Sequence, residues 1–409
     1  MGVSPVTKSI FDEHVERTNT NSVKWDGAAM LYGKSHVLPM WIADMDFRAP
    51  DCILDAMSDV LDQKIFGYTL CPKSLKQSVR NWLMRRYTWN VADRSIIFNH
   101  NVVSSISLAL RALTSEGDKV LIHHPVYNPF FEQINQLGRV PLVSELELHD
   151  QRYSMNLADM EQKIKEEQPT CILICSPHNP GGRIWDPDEL KAVIALAAAY
   201  HLPIISDEIH ADLVIPGHRH QPIAQLAGET AGQIVTLMAP TKSFNLAGIG
   251  PSYMLTFDSK IAAAIKREQR AMVYPSINPF QIAAMTAAYE KGEPWLIELM
   301  HYVKGNIDYV RRMLSQLDGI YCMENDATYL MWINYEALHV SEKEVQQALI
   351  EQGVALQMGS TYGPSGHGFI RMNVAAPRAL VEEGTQKVLR AFQHLLAVTQ
   401  NTSPIEHDS

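Results

Sequence analysis

Short apolar runs recur along the first two thirds of the chain and alternate with longer segments of helical periodicity. Five runs have strand length and are almost continuously apolar, which is typical of strands buried on both faces: 119–123, 171–175, 204–206, 234–238 and 253–257. Amphipathic segments, among them 51–63, 188–200 and 259–273, separate or flank these runs. The alternation predicts an α/β fold with a mostly parallel central sheet that helices cover on both faces.

The pattern changes after about residue 285. Long helical segments at 294–317, 341–351 and 378–396 surround strand-like runs at 328–333 and 368–373. This mixture predicts a smaller α+β lobe. We therefore expect a large domain over residues 51–285, and a small domain that combines residues 1–50 with 286–409.

Charge and composition narrow the classes of partner. The net charge of -10 disfavours binding to nucleic acid, and 46% hydrophobic with 20% charged residues is ordinary for a globular enzyme. The sequence has neither a signal-peptide pattern nor an apolar run of membrane-spanning length, so we expect a cytoplasmic protein without a membrane partner. Of the five cysteines, Cys171 and Cys175 share one face of a predicted strand, which favours two core thiols over a metal pair. We expect no metal.

Four polar motifs each follow a predicted strand. They place Tyr127 in His-Pro-Val-Tyr-Asn-Pro, Asn179 in Ser-Pro-His-Asn-Pro-Gly-Gly-Arg, Asp207 in Ser-Asp-Glu-Ile-His and Lys242 in Pro-Thr-Lys-Ser-Phe-Asn. Taken singly, these residues are a turn, a helix cap or a solvated lysine. Ligands of open parallel sheets bind beyond the carboxyl ends of the strands, so the set together predicts one site.

In order and spacing, these motifs and the downstream Arg371 resemble the fold-type I family of pyridoxal-phosphate (PLP) enzymes over nearly the whole chain. The resemblance implies that Lys242 carries the cofactor covalently and moves protons, while Asp207 keeps the pyridine nitrogen protonated. It also implies that Tyr127 stacks on the ring and that Asn179 donates to the phenolic oxygen. Arg371 would bind the carboxylate of a small amino-acid substrate.

Phosphate binding is expected at the start of the helix that follows the 96–98 strand. The resemblance and the helix dipole assign it to the amides of Val102 and Val103, with the Thr241 hydroxyl. Two positions depart from typical relatives, because Ala239 replaces a second hydroxyl and Gly250 replaces a phosphate-binding arginine. Part of the phosphate must therefore be anchored elsewhere. Tyr68 matches a tyrosine that family members contribute to the neighbouring subunit, which implies a homodimer with shared active sites.

Several features resemble the cystathionine β-lyase-like branch of carbon-sulfur lyases. They are the segment 39–47, Trp185 after the Asn-Pro turn, the Tyr362-Gly pair, and His210 where many aminotransferases have tyrosine. His210 is expected either to contact the cofactor or to be structural. With Arg371, the substrate wall is expected to include Asn179, Tyr127, Ala43 and Tyr362. The branch implies β-elimination from cystathionine, cysteine or cysteine S-conjugates; the alternatives are an aminotransferase, or a regulatory or interaction protein with the PLP fold.

Overall fold

The computed structural model describes residues 9–34, 36–272 and 277–402. Its helices are α1 (Asp26–Tyr32), α2 (Asp51–Asp62), α3 (Lys73–Tyr87), α4 (Val102–Leu113), α5 (Pro129–Gln136), α6 (Leu157–Glu167), α7 (Pro187–Ala199), α8 (Ile223–Leu226), α9 (Ser259–Ala271), α10 (Pro279–Lys291), α11 (Glu293–Leu314), α12 (Glu342–Glu351) and α13 (Arg378–Thr402). Its strands are β1 (Leu38–Pro39), β2 (Ile96–Asn99), β3 (Lys119–His124), β4 (Val140–Glu145), β5 (Glu147–His149), β6 (Arg152–Ser154), β7 (Cys171–Cys175), β8 (Ile204–Asp207), β9 (Ile234–Met238), β10 (Ser252–Thr256), β11 (Tyr321–Cys322), β12 (Leu330–Asn334), β13 (Val354–Ala355), β14 (Gln357–Met358) and β15 (Phe369–Asn373). Within these described ranges, no helix combines the length and apolar character needed to cross a bilayer.

A seven-stranded sheet in the order β2-β10-β9-β8-β7-β3-β4 forms the centre of the molecule. The strands from β9 to β4 pair in parallel, whereas β10 runs antiparallel to both β9 and β2. Every residue of β7 and β9 is buried, as expected where helices cover both faces of a parallel sheet. The mostly parallel sheet predicted from the alternating pattern is thereby confirmed.

A smaller four-stranded antiparallel sheet, β11-β12-β15-β14, lies near helices α11 to α13. Helix α13 contacts both α11 and α12, so these helices pack together beside the strands. The N-terminal arm reaches the same region, because β1 pairs in parallel with β13. The structure therefore confirms the predicted α+β character of this part of the chain.

The parallel strands place the predicted motifs at one edge of the central sheet. β3, β7, β8 and β9 run in the same direction, and Tyr127, Asn179, Asp207 and Lys242 lie at or just after their carboxyl ends. The sheet therefore brings together side chains that are far apart in sequence.

Candidate active site

A cavity of about 240 Å³ opens at the carboxyl edge of the parallel strands. It is lined by Ala43, Asn101, Val102, Val103, Tyr127, Cys175, Asn179, Asp207, Ile209, His210, Thr241, Lys242, Ala247 and Gly250. Nine of these residues were expected to bind cofactor or substrate, so the expected set converges on one cavity. In the described ranges, no group of three or more His, Cys, Asp or Glu side chains is placed to hold a metal ion.

The beginning of helix α4 forms one end of the cavity. The Asn101 side chain caps the helix by accepting a 2.7 Å hydrogen bond from the Ser104 amide. The preceding amides, of Val102 and Val103, therefore lie at the positive end of the helix dipole in the cavity wall. A helix end of this kind suits a phosphate group, and the Thr241 hydroxyl can add a donor from the same wall.

Gly250 also lines the cavity, and its backbone conformation is unfavourable for any other residue. Its φ is +78°, and a Cβ atom would lie 2.8 Å from the carbonyl oxygen of His100. Any L side chain at this position is strained. An arginine at this position would therefore strain the local backbone.

Lys242 follows β9 and points its amine into the cavity wall. Its Nζ donates a 2.5 Å hydrogen bond to the carbonyl oxygen of Ala43. Burial, with the nearby positive charge of Arg371, lowers the pKa of the Lys242 amine to about 8. A larger share of this amine is neutral near physiological pH than in a solvated lysine, which suits a nucleophile and a proton carrier.

Asp207 ends β8 and is 3% exposed. Burial, with the neighbouring Glu208 charge, raises the pKa of this carboxyl group to about 7, although a hydrogen bond from the Ile209 amide opposes the shift. A buried carboxylate that lines a cavity needs a positive partner there. The protonated nitrogen of a pyridine ring would supply that charge, so this side of the cavity fits the expected cofactor.

Asn179 connects the cavity to Arg371. The Arg371 guanidinium donates to Asn179 Oδ1 at 3.0 Å, which leaves the Asn179 amide nitrogen available to donate to a ligand. The guanidinium carbon of Arg371 lies over the ring of Tyr362, 5.1 Å from the ring centroid. Arg371 and Tyr362 are both buried and are not among the residues that line the cavity.

Tyr127 and His210 complete the polar wall. Tyr127 is partly buried after β3, with its pKa raised by burial and by the Asp207 charge. Burial, with the charges of Lys242 and Arg371, lowers the pKa of His210 to about 3, so the ring is neutral. Its Nδ1 has no hydrogen-bond partner in the described part of the chain.

Other expected positions are found as follows. Tyr68 lies outside the cavity and is fully exposed. Cys171 and Cys175 are free and buried, and burial raises both thiol pKa values; Cys175 also borders the cavity. Sequence reasoning assigned no role to Asn101, Ile209 and Ala247 in the wall. Of these, only Asn101 carried a signal, as a cap residue before a helical run.

The family model for aminotransferase class I and II matches residues 35–388. The cystathionine beta-lyase PatB of Bacillus subtilis (strain 168) is 38% identical to this chain over 388 residues, covering 93% of this chain and 99% of its own length.

Two solved structures share the architecture. Cystalysin from Treponema denticola, which contains a pyridoxal 5'-phosphate cofactor, superposes with a TM-score of 0.91 at 30% identity and covers 94% of this chain and 99% of its own. The PLP-bound C-S lyase from Staphylococcus hominis superposes with a TM-score of 0.88 at 28% identity and covers 95% of this chain and 99% of its own. These likenesses confirm the fold-type I architecture and the family resemblance read from the motifs. With its family match extending over most of the sequence, this chain belongs to the aminotransferase class I and II family.

Proposed function

We propose that this protein is a PLP-dependent carbon-sulfur β-lyase that converts cystathionine, cysteine or cysteine S-conjugates to a thiol, pyruvate and ammonia. The observation that carries the proposal is the convergence of Lys242, Asp207, Asn179 and His210 on one cavity, with Arg371 bonded to Asn179. The similarity to a cystathionine beta-lyase over almost the full chain supports the same reaction.

The proposed cofactor site assigns a role to each part of the wall. Lys242 would hold PLP covalently, Asp207 would pair with the ring nitrogen, and Asn179 would donate to the phenolic oxygen. The start of α4 and Thr241 would bind the phosphate, while Tyr127 would pack on the ring. When bound, PLP withdraws the electron pair that is released at the substrate Cα.

The proposed reaction uses the chain's own groups as follows. Arg371 binds the substrate carboxylate, while Asn179, Tyr127, Ala43 and Tyr362 complete the substrate wall. The Lys242 amine would accept the Cα proton. The electron pair left at Cα then forms the Cα–Cβ double bond, and the Cβ–S bond breaks with sulfur leaving as thiolate. Water converts the remaining aminoacrylate to pyruvate and ammonia.

The two alternatives have less support. An aminotransferase would use the same Lys242, but the relative with highest identity among those described is a named lyase. A regulatory or interaction protein would have no need for an amine pKa lowered to about 8 beside a buried carboxylate.

The proposal also includes a cytoplasmic homodimer with Tyr68 reaching the partner's phosphate site. Three neighbours of the exposed Tyr68 are exposed apolar side chains, namely Ile65, Phe66 and Leu70, which suits a buried contact between subunits. We retain the division into a 51–285 domain and a second domain made of 1–50 and 286–409. The pairing of β1 with β13 supports assigning the N-terminal arm to the latter.

A substrate panel tests the reaction. Purified protein with PLP is incubated with cystathionine, cysteine and S-alkyl cysteines, and we expect pyruvate and free thiol to appear together without added 2-oxo acid. Absence of both products throughout, or amino transfer that requires a 2-oxo acid, contradicts the lyase.

Lys242→Ala tests the role of the lysine in the same assay. We expect loss of the visible absorption of covalently bound PLP and a fall in rate of about 10²-fold or more, since both covalent attachment and proton transfer are removed. Lys191→Ala, at an exposed lysine of α7, is the matched control and should leave both unchanged. Unaltered turnover in Lys242→Ala would exclude the assignment.

A further inference from the structure

The backbone carbonyls of residues 41–47, here called the 41–47 segment, accept hydrogen bonds from several side chains. Arg371 donates to the carbonyl of Trp41 at 2.9 Å, and Lys242 donates to that of Ala43 at 2.5 Å. The buried Tyr329 hydroxyl also donates to Ala43, at 3.2 Å. The proposed cofactor lysine and the proposed carboxylate-binding arginine are thus bonded to carbonyls only two residues apart.

Two asparagines hold this segment, and each lies close in sequence to one of those two residues. Asn245, three residues after Lys242, donates to the carbonyls of Met45 at 3.0 Å and Phe47 at 2.8 Å, and it accepts from the Met45 amide. Asn373, two residues after Arg371 on β15, donates to the carbonyls of Ile42 at 2.7 Å and Asp44 at 2.6 Å. Each asparagine therefore fixes its own element against the same backbone.

A cluster of charges anchors the segment from the N-terminal side. Lys24, which is 1% exposed, pairs with Asp46 at 2.6 Å, and Arg17 bonds both Asp46 at 2.6 Å and Asp44 at 2.8 Å. The Trp25 indole also donates to Asp46, at 2.8 Å. Although burial alone would raise the pKa of Asp46, Lys24 and these partners hold it below its usual value, so the carboxylate stays charged.

We propose that Asn245 and Asn373 are positioning residues that use the 41–47 segment as a common reference for the Lys242 amine and the Arg371 guanidinium. The amine must reach the substrate Cα while the guanidinium holds the substrate carboxylate. The distance between the amine and the guanidinium therefore decides whether the Cα proton lies within reach of the amine. Errors of about 1 Å in such geometry can cost as much as 10²-fold in rate. The inference rests on the proposed function.

The two asparagines should affect different kinetic constants. Asn245 contacts the segment beside the lysine, so Asn245→Ala should lower kcat about tenfold and leave KM nearly constant. Asn373 is on the strand of Arg371, so Asn373→Ala should raise KM for amino-acid substrates about tenfold with a smaller change in kcat. The pH midpoint of the absorption change of enzyme-bound PLP should move in Asn245→Ala, because the environment of the Lys242 nitrogen changes.

Asn306 provides a matched control. It is fully buried and donates to two backbone carbonyls, those of Val374 and Ala376, at 2.9 and 3.0 Å. Its link to the 41–47 segment is one step further removed than those of Asn245 and Asn373, because it runs through Ala375, whose carbonyl accepts from the Asp46 amide. Asn306→Ala should lower the thermal stability to a similar extent through the same loss of two buried hydrogen bonds. It should leave the kcat, KM and pH midpoint of the holoenzyme near those of the wild type.

The outcomes separate the inference from the proposed function. A wild type that neither binds PLP nor forms pyruvate contradicts the proposed function. If the wild type is active and the Asn245 and Asn373 variants match Asn306→Ala in all three quantities, the asparagines are merely structural. Should either variant fail to fold, Arg17→Gln is the substitute, because Arg17 is 21% exposed. Arg17→Gln removes the ion pairs with Asp44 and Asp46 and should change both kcat and KM. Unchanged kcat and KM would overturn the inference.

Discussion

At the scale of single residues, the charges around Lys242 decide when its amine can react. Burial, aided by Arg371, lowers its pKa to about 8, while Asp44 and Asp207 act in the opposite direction. Below this value the amine is protonated and unreactive; above it the neutral form dominates. The rate at which an aldehyde modifies the Lys242 amine should therefore rise with pH and level off above about 8. An ordinary lysine, whose pKa is about 10.4, would reach its maximal rate only at higher pH.

Removing a positive or a negative charge near Lys242 should shift the pH profile of this modification in opposite directions. Arg371→Leu removes a like charge and should raise the pH midpoint, whereas Asp207→Asn removes an opposite charge and should lower it. The measurement is trapping of the cofactor-free protein with a small aldehyde and borohydride, with the modified lysine located by mass spectrometry. Shifts in the same direction would contradict the electrostatic account of the site.

Residues proposed to act through their side-chain chemistry could be predicted from the sequence. Residues that bond to backbone carbonyls could not. Lys242, Asp207 and Asn179 each stand in a short motif after a predicted strand, and the order and spacing of these motifs together predict one site. Asn245 ends the Lys242 motif and Asn373 ends the predicted strand at 368–373, but their partners are backbone carbonyls, which every residue has. No pattern of side chains along the sequence marks such a partner.

At the scale of elements, continuous burial made the strands easiest to predict. The 171–175 and 234–238 predictions agree with β7 and β9 to the residue, since all five positions of each are buried. The 253–257 prediction is shifted by one residue, because Ser252 pairs with Asn99 while Phe257 is 37% exposed. The antiparallel direction of β10 was not predicted, because apolar periodicity carries no information on strand direction.

Helix ends and short strands were predicted less well. The 294–317 prediction corresponds to α11, which ends at Leu314, and the 378–396 prediction corresponds to α13, which continues to Thr402. The end of the 259–273 prediction lies outside the described residues, and α9 ends at Ala271. The two-residue strands β1 and β13 escaped prediction because they exist only through their mutual pairing.

The cap of α4 offers a test at this scale. Asn101→Ala removes the acceptor for the Ser104 amide and should cost about 1 kcal/mol of unfolding free energy. Asn101→Asp keeps the acceptor and should retain stability, but its negative charge should weaken PLP binding if the phosphate lies at this helix end. Denaturant unfolding of the cofactor-free protein and equilibrium dialysis with PLP measure the two effects. Wild-type affinity in Asn101→Asp would exclude a phosphate there.

At the scale of the whole molecule, shared active sites can be tested by mixing two inactive variants. Lys242→Ala removes the lysine of its own site, and Tyr68→Ala removes the tyrosine that is proposed to enter the partner's site. A mixed dimer then holds one site with both groups intact. An equimolar mixture should recover about a quarter of the wild-type activity, because half of the dimers are mixed and each has one native site.

Separate folding of each variant, followed by combination without exchange of subunits, is the control for this experiment. It should give only the residual activities of the two parents. Size-exclusion chromatography must show the same dimer for both variants and the wild type. A mixture that stays inactive after exchange of subunits would place Tyr68 outside the neighbouring site.

The 41–47 segment also has a consequence for synthesis of the protein on the ribosome. Asn373 is 331 residues beyond Ile42, whose carbonyl it holds. At about 5–20 residues per second, the segment waits roughly 15 to 70 s for that partner to emerge. The wall that contains Ala43 is therefore completed only after Asn373 has been synthesised. Capture of PLP should accordingly wait until Asn373 has left the ribosome, and until then the nascent chain exposes an unfinished pocket.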